Sequence, residues 1–298
     1  MKSLLAINGG KKLIKKIKFK YTNNIGSNEI KAAVKVIKSG KLSGFLGTYS
    51  ANFYGGQYVK QFENKLKKYF KVKHVITTNS WTSGLVAAVG SLNIEPGDEI
   101  IVSPWTMSAS ATAIIHWNAI PVFADIDKNT FCIDPNSIVK NITKRTKAIM
   151  AVDIFGQSCD IKKINQIAKK NNLKVITDSA QAIGSTINGK LTGTCSDIGG
   201  FSLNYHKHIH TGEGGILLTN DKDLALRMQL IRNHAESVVK GMGLKNISNM
   251  IGHNFRLGEI ESAIGIEQLK KLKTITKKRQ DDAALLSKEL KGLRGLQV

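Results

Sequence analysis

Ala148-Ile149-Met150-Ala151-Val152, a helical stretch over 160–171, and then Lys174-Val175-Ile176-Thr177 leading into Asp178-Ser179-Ala180-Gln181 is the passage that decides the fold. Two short runs are apolar almost without interruption, and an amphipathic helix joins them. A strand with one wet face would alternate. Continuous apolarity therefore marks parallel strands covered on both sides. The same rhythm extends upstream: Val75-Ile76, a helix near 82–92, Ile100-Ile101-Val102, a helix near 108–117, and Pro121-Val122-Phe123. Downstream, Gly199 to Leu203 and Gly215 to Thr219 add two strands, with Gly212 and Gly214-Gly215 marking the turn between them. The expected class is α/β, a mainly parallel central sheet flanked by helices.

Two amphipathic helices precede the sheet. Residues 27–39 carry Ile30, Ala33, Val34 and Ile37 at helical spacing, with Ser27 as the expected N-cap and Gly40 just past the end. Residues 56–70 carry Tyr58, Phe62, Leu66 and Tyr69. From about 222 the chain reads helical and ends in a long lysine-rich helix around 258–292. Nothing after that helix is left to cover Ile266, Leu269 and Leu272. Two expectations follow: the chain is a fragment, or a partner meets that face.

Composition narrows the classes. In 298 residues, hydrophobic types make up 42% and charged types 22%, which supports a substantial core and argues against general disorder. Glycine is frequent at 27 and proline scarce at 4, against collagen-like or proline-rich chains. No apolar run approaches the roughly 20 residues of a membrane span, and Leu4 to Ile7 is too short for a signal peptide. Cys132, Cys159 and Cys195 are odd in number and far apart, without zinc-ligand spacing; a reducing cytoplasm fits best. Lys+Arg 44 against Asp+Glu 22 leaves +22. The lysines are scattered (Lys11, Lys12, Lys15, Lys16, then Lys65 to Lys73 and Lys270 to Lys278), which suits a solvated surface. A basic nucleic-acid binder would leave the ordered residues at the strand ends unexplained.

Those residues carry the chemistry. Ligands of an open α/β sheet bind beyond the carboxyl ends of the strands. There stand Thr78-Asn79-Ser80-Trp81-Thr82-Ser83-Gly84, opening a helix whose free N–H groups suit a phosphate; Ser103-Pro104-Trp105-Thr106-Met107; Asp178-Ser179-Ala180-Gln181; and Asn204-Tyr205-His206-Lys207-His208. A lysine amine bonds an aldehyde cofactor, and flanking cations such as His206 and His208 would lower its pKa. A carboxylate can keep a pyridine nitrogen protonated, and a helix N-terminus can anchor a phosphate. Pyridoxal phosphate needs all three. Taken singly, Lys207 reads as a solvated lysine, Asp178 as a turn former, and Ser80 and Thr82 as helix caps. His206, His208 and His210 could share one face of a strand as a metal cluster, but no acidic or cysteine ligand lies nearby in sequence, and no metal is expected.

The chain resembles the DegT/DnrJ/StrS aminotransferases. The most specific stretch is Gly200-Phe201-Ser202-Leu203-Asn204-Tyr205-His206-Lys207 with Thr211-Gly212-Glu213-Gly214-Gly215; Asp178-Ser179-Ala180-Gln181 and Ser80-Trp81-Thr82-Ser83 match two further motifs. Ile7-Asn8-Gly9-Gly10, Gly40-Lys41-Leu42-Ser43, Phe155-Gly156-Gln157, Arg232-Asn233-His234 and Gly252-His253-Asn254-Phe255-Arg256 extend the likeness over nearly the whole chain. The resemblance implies the fold-type-I architecture of pyridoxal 5'-phosphate enzymes, with a small second domain truncated here. It divides the chain into 1–25, an N-terminal segment of the small domain; 26–255, the large cofactor-binding domain; and 256–298, a linking helix into an incomplete small domain.

It also assigns roles. Lys207 would bond the cofactor aldehyde and shuttle the proton. Asp178 would pair with the ring nitrogen, and Gln181 would lie by the ring hydroxyl or ring face. Trp81 through its backbone N–H, Thr82 and Ser202 would hold the phosphate, and Asn254 would reach the phosphate of a neighbouring subunit in a homodimer with shared active sites. The implied reaction moves an amino group from an amino acid, glutamate by resemblance, to a keto group of a nucleotide-linked sugar in surface polysaccharide or glycan biosynthesis. A non-catalytic relative on this fold is the alternative. A dehydrating branch carries histidine at the lysine position, and Lys207 argues against it. Trp81 stands where relatives usually have a small residue, and Met107 where they have an aromatic that stacks on the cofactor; Trp105 is two residues away. Members normally continue well past residue 298.

Overall fold

The computed structural model describes residues 4–12, 24–244 and 250–296. Lys15 and Lys16, most of segment 1–25 and residues 245–249 lie outside them. Helices α1 (Ser27–Lys38) and α2 (Gln57–Phe70) come first. Then β1 (His74–Thr78), α3 (Trp81–Ser91), β2 (Glu99–Val102), α4 (Ser108–Ile115), β3 (Ile120–Phe123), α5 (Pro135–Asn141), β4 (Thr146–Val152), α6 (Ile161–Lys170) and β5 (Lys174–Asp178) alternate. A two-stranded ribbon, β6 (Thr186–Ile187) with β7 (Lys190–Leu191), precedes β8 (Ile198–Ser202) and β9 (Gly215–Thr219). Helices α7 (Lys222–Arg232) and α8 (Glu259–Leu290) complete the order.

The main sheet has seven strands in the order β1-β9-β8-β5-β4-β2-β3. β8, β5, β4, β2 and β3 pair in parallel, and β9 runs antiparallel to both β8 and β1. Six strands thus point one way, so their carboxyl ends share one edge. The apolar strands split by alternation between the two faces. Ile100, Val102, Met150 and Ile176 join α3 and α7 in one core. Ile101, Ile149, Ala151 and Val175 pack with Ile164 of α6 in another.

Three readings of the helices change. Ile266, Leu269 and Leu272 of α8 are buried, packed with Phe62 and Leu66 of α2 and with Phe201 and Leu203. Their cover comes from earlier elements of the same chain. Ser27 is the first helical residue of α1, and Gly26 is its N-cap; the Gly26 N–H donates to the Glu29 carboxylate at 2.8 Å. On α1 it is Glu29 and Val36 that are buried, while Ile30, Val34 and Ile37 are exposed. Glu29 faces α8, accepting from Lys271 Nζ at 2.6 Å and Gln268 Nε2 at 2.9 Å. Burial acts to raise the Glu29 carboxyl, but the Lys271, Gln268 and Gly26 donors outweigh it and hold the group below the usual carboxylate range. No helix among the described residues is long and apolar enough to cross a membrane.

Candidate active site

The shared strand edge gathers the predicted residues. β5 ends at Asp178 and β8 at Ser202; β1 ends at Thr78, three residues before α3 begins at Trp81. Ser80 caps α3 through its Oγ, which accepts the Ser83 N–H at 3.1 Å, and Thr78 Oγ1 donates to the Ser80 carbonyl at 2.7 Å. That leaves the N–H groups of Trp81 and Thr82 in the first turn without a helical acceptor. Ser202 pairs with Gly215 across β8 and β9, and a Cβ on Gly215 would lie 2.5 Å from the Ser80 carbonyl. The Ser202 hydroxyl is thereby carried to the same helix start, where two amides and a hydroxyl suit a phosphate.

Asp178 is buried and held from three sides. Its Oδ1 accepts the Trp81 indole N–H at 2.6 Å and the Ala180 N–H at 3.2 Å, and its Oδ2 accepts the Ser110 hydroxyl at 2.7 Å. Lys207 is half-buried in the turn after β8, its N–H bonded to the Asn204 carbonyl at 2.9 Å. Burial lowers the Lys207 amine below its usual value, and the Asp178 carboxylate, acting through space, opposes that. The flanking histidines are not the cause. His208 is itself driven towards its neutral form by burial, Arg279 and Lys207. Residues 205–209 form turns and bends instead of a strand, so His206, His208 and His210 do not share a strand face. Among the described residues no group of three His, Cys, Asp or Glu side chains could hold a metal ion.

Other assignments land differently. The Gln181 Oε1 accepts the Phe155 N–H at 2.6 Å, which fixes an exposed aromatic in a left-handed backbone (φ 54°) at the same edge. Asn254 is exposed and abuts the turn between β1 and α3 of its own chain: Asn79 N–H donates to the Phe255 carbonyl at 2.9 Å, and Asn79 Nδ2 lies 3.5 Å from the Asn254 carbonyl. Met107 and Trp105 are both exposed at the rim, and Trp105 leans towards Phe131 at 6.2 Å between ring centroids. Two contributors were missing from the sequence reading, the Trp81 side chain and Ser110. Trp81 was credited with its backbone alone, and Ser110 carries no signal beyond a serine early in a helix.

The donor set fits pyridoxal phosphate: amide and hydroxyl donors for a dianion, a buried carboxylate with acceptor capacity remaining for a ring N–H, and a half-buried amine whose pKa burial lowers.

Comparison with known proteins agrees. The chain is 40% identical to the GDP-perosamine synthase of Caulobacter vibrioides over 217 residues, 73% of this chain and 57% of that protein. The chain thus spans under three-fifths of that relative's length. Helicobacter pylori PseC, an aminotransferase involved in the biosynthesis of pseudoaminic acid, superposes with a TM-score of 0.80 at 33% identity, covering 91% of this chain and 70% of that one. An E. coli GDP-4-keto-6-deoxy-D-mannose-3-dehydratase with bound hydrated PLP gives a TM-score of 0.81 at 29% identity, covering 93% and 73%. Residues 25–298 match the DegT/DnrJ/EryC1/StrS aminotransferase family, and the chain belongs to it.

Proposed function

We propose that the protein is a pyridoxal-phosphate-dependent aminotransferase that moves an amino group from an amino acid, glutamate in our reading, to a keto group of a nucleotide-linked sugar in glycan biosynthesis. The observation that carries this reading is that half-buried Lys207, in the turn after β8, and buried Asp178, at the end of β5, stand at one carboxyl edge of the sheet. When bound, the cofactor supplies an aldehyde that condenses with amines and a ring that accepts electrons from a carbon next to nitrogen.

The chain's own groups do the rest. Trp81 and Thr82 N–H groups and the Ser202 hydroxyl would bind the phosphate. Asp178 would hold the ring nitrogen. Lys207 would hold the aldehyde group and would serve as the general base that takes the proton from the donor's Cα. Burial lowers the pKa of that amine, in the direction a general base needs. Gln181 would fix the Phe155 loop at the rim of the site through the Phe155 N–H. Asn254, exposed next to the phosphate turn, is the group assigned to the phosphate of a second copy, so a homodimer with shared sites belongs to the proposal. So does the division into a 26–255 cofactor domain flanked by small-domain segments 1–25 and 256–298. The three unpaired cysteines suit a cytoplasmic location.

Adding glutamate to the cofactor-loaded protein should shift its visible absorption band, and a keto sugar nucleotide should reverse the shift. An unchanged band, or the same response in Lys207→Ala, contradicts the reading. Cofactor binding with no turnover on any keto sugar would identify a non-catalytic relative.

A further inference from the structure

The Trp81 side chain does something that its place in a phosphate turn does not require. Its ring is buried in the core between α3 and β8. Two glycines make room for it. A Cβ on Gly200 would lie 2.4 Å from the indole Cη2 and Cζ3, and a Cβ on Gly84 would lie 2.9 Å from Cε3. Gly84 sits inside α3, where glycine costs about 1 kcal/mol against alanine. The slot is therefore shaped to the indole. Its polar end is aimed: Nε1 donates to Asp178 Oδ1 at 2.6 Å.

An ionised carboxylate offers about four acceptor sites. On Asp178, Trp81 and the Ala180 N–H fill Oδ1, and Ser110 takes one site of Oδ2. Ser110 is itself completely buried and tied to Thr106 Oγ1 at 2.8 Å. Donors on α3 and α4 thus clamp the two oxygens separately, and one acceptor site remains, on Oδ2.

We propose that Trp81 is a positioning residue for the cofactor ring: its indole N–H, working against Ser110, turns the Asp178 carboxylate so that the remaining Oδ2 site is the one that meets the ring N–H. The inference rests on the reading of Asp178 as the ring-nitrogen partner.

The test compares two ligands, pyridoxal phosphate and its carbocyclic analogue with C–H in place of the ring nitrogen. Both carry the same aldehyde and phosphate; only one can bond to Asp178. Dissociation constants are measured for the wild type, Trp81→Phe, Ser110→Ala and Asp178→Asn. Trp81→Phe keeps a ring in the slot and removes the N–H, and Ser110→Ala removes one oxygen without disturbing the core. The expected result is a loss of about tenfold for pyridoxal phosphate in both Trp81→Phe and Ser110→Ala, with the carbocyclic analogue bound nearly as tightly as by the wild type. Equal losses for both ligands, or none, alongside a selective loss in Asp178→Asn, would reduce Trp81 to packing and leave the role of Asp178 intact. A loss in Asp178→Asn that does not discriminate between the ligands would overturn the reading of Asp178, and this inference with it.

Discussion

Two aspartates end neighbouring parallel strands, and their fates differ. Asp178 is the last residue of β5 and Asp153 follows β4, and the Asp153 N–H bonds to the Asp178 carbonyl at 3.0 Å. Relative exposure does not separate them, at 1% for Asp153 and 4% for Asp178. Their surroundings do. Asp153 accepts from the Ser179 hydroxyl at 2.5 Å and the Cys159 N–H at 2.9 Å, and it lies beside two buried thiols. Burial raises its pKa, and the charge of Asp178 adds to the rise. Asp178 accepts from an indole and a hydroxyl, and its charge acts on the Lys207 amine. Burial of a carboxylate does not make a cofactor site; an amine within its field and an unfilled acceptor site do.

The largest effect expected from this contrast is at the amine. Lys207→Ala should lower turnover by at least about 10²–10⁴-fold, measured by single-turnover spectra with glutamate. Asp178→Asn should come next, with a loss of about 10²–10³-fold in kcat. Asp153→Asn should barely touch cofactor affinity, since asparagine can still accept from the Cys159 N–H and donate to the Ser179 hydroxyl. If Asp153→Asn matched Asp178→Asn, the contrast would be broken.

Asp153 should instead show itself in stability. Its native pKa is raised, so the native state binds its proton more readily than the unfolded chain does. Its contribution is full below the ordinary carboxylate range and is lost as pH rises through the raised native value. Thermal melts across that window should show Asp153→Asn with a flatter pH dependence than the wild type, and within about 1 kcal/mol of it at neutral pH. The smallest effect concerns the thiols. Burial, with Asp153 alongside, pushes Cys132 up to about 11, and burial pushes Cys159 well above its usual value. Alkylation at mildly alkaline pH, followed by mass spectrometry, should mark half-buried Cys195 before either.

Much of this was legible beforehand because parallel strands covered on both faces must be apolar throughout. Runs such as Ile100–Val102 and Ala148–Val152 therefore announce themselves, and the residues after them locate the edge. Asp178, Thr82 and Lys207 followed from that order; Ser202 came only with the family resemblance. Side-chain partnerships across the fold were not legible. Nothing local says that Glu29, and not Ile30, turns inward on α1; the choice is made by Lys271 and Gln268, some 240 positions away. The cover over Leu272 comes from Phe62 and Leu203, again distant in sequence. Trp81 was legible only in retrospect, from Gly84 and Gly200, whose missing side chains leave the space that the indole fills.

Which lysine meets the cofactor decides the mechanism. Reducing the pyridoxal-phosphate-loaded protein with borohydride, digesting it and sequencing the labelled peptide by mass spectrometry should place the phosphopyridoxyl group on Lys207. A label on any other of the chain's lysines, or an unlabelled Lys207 peptide from fully loaded protein, would contradict it.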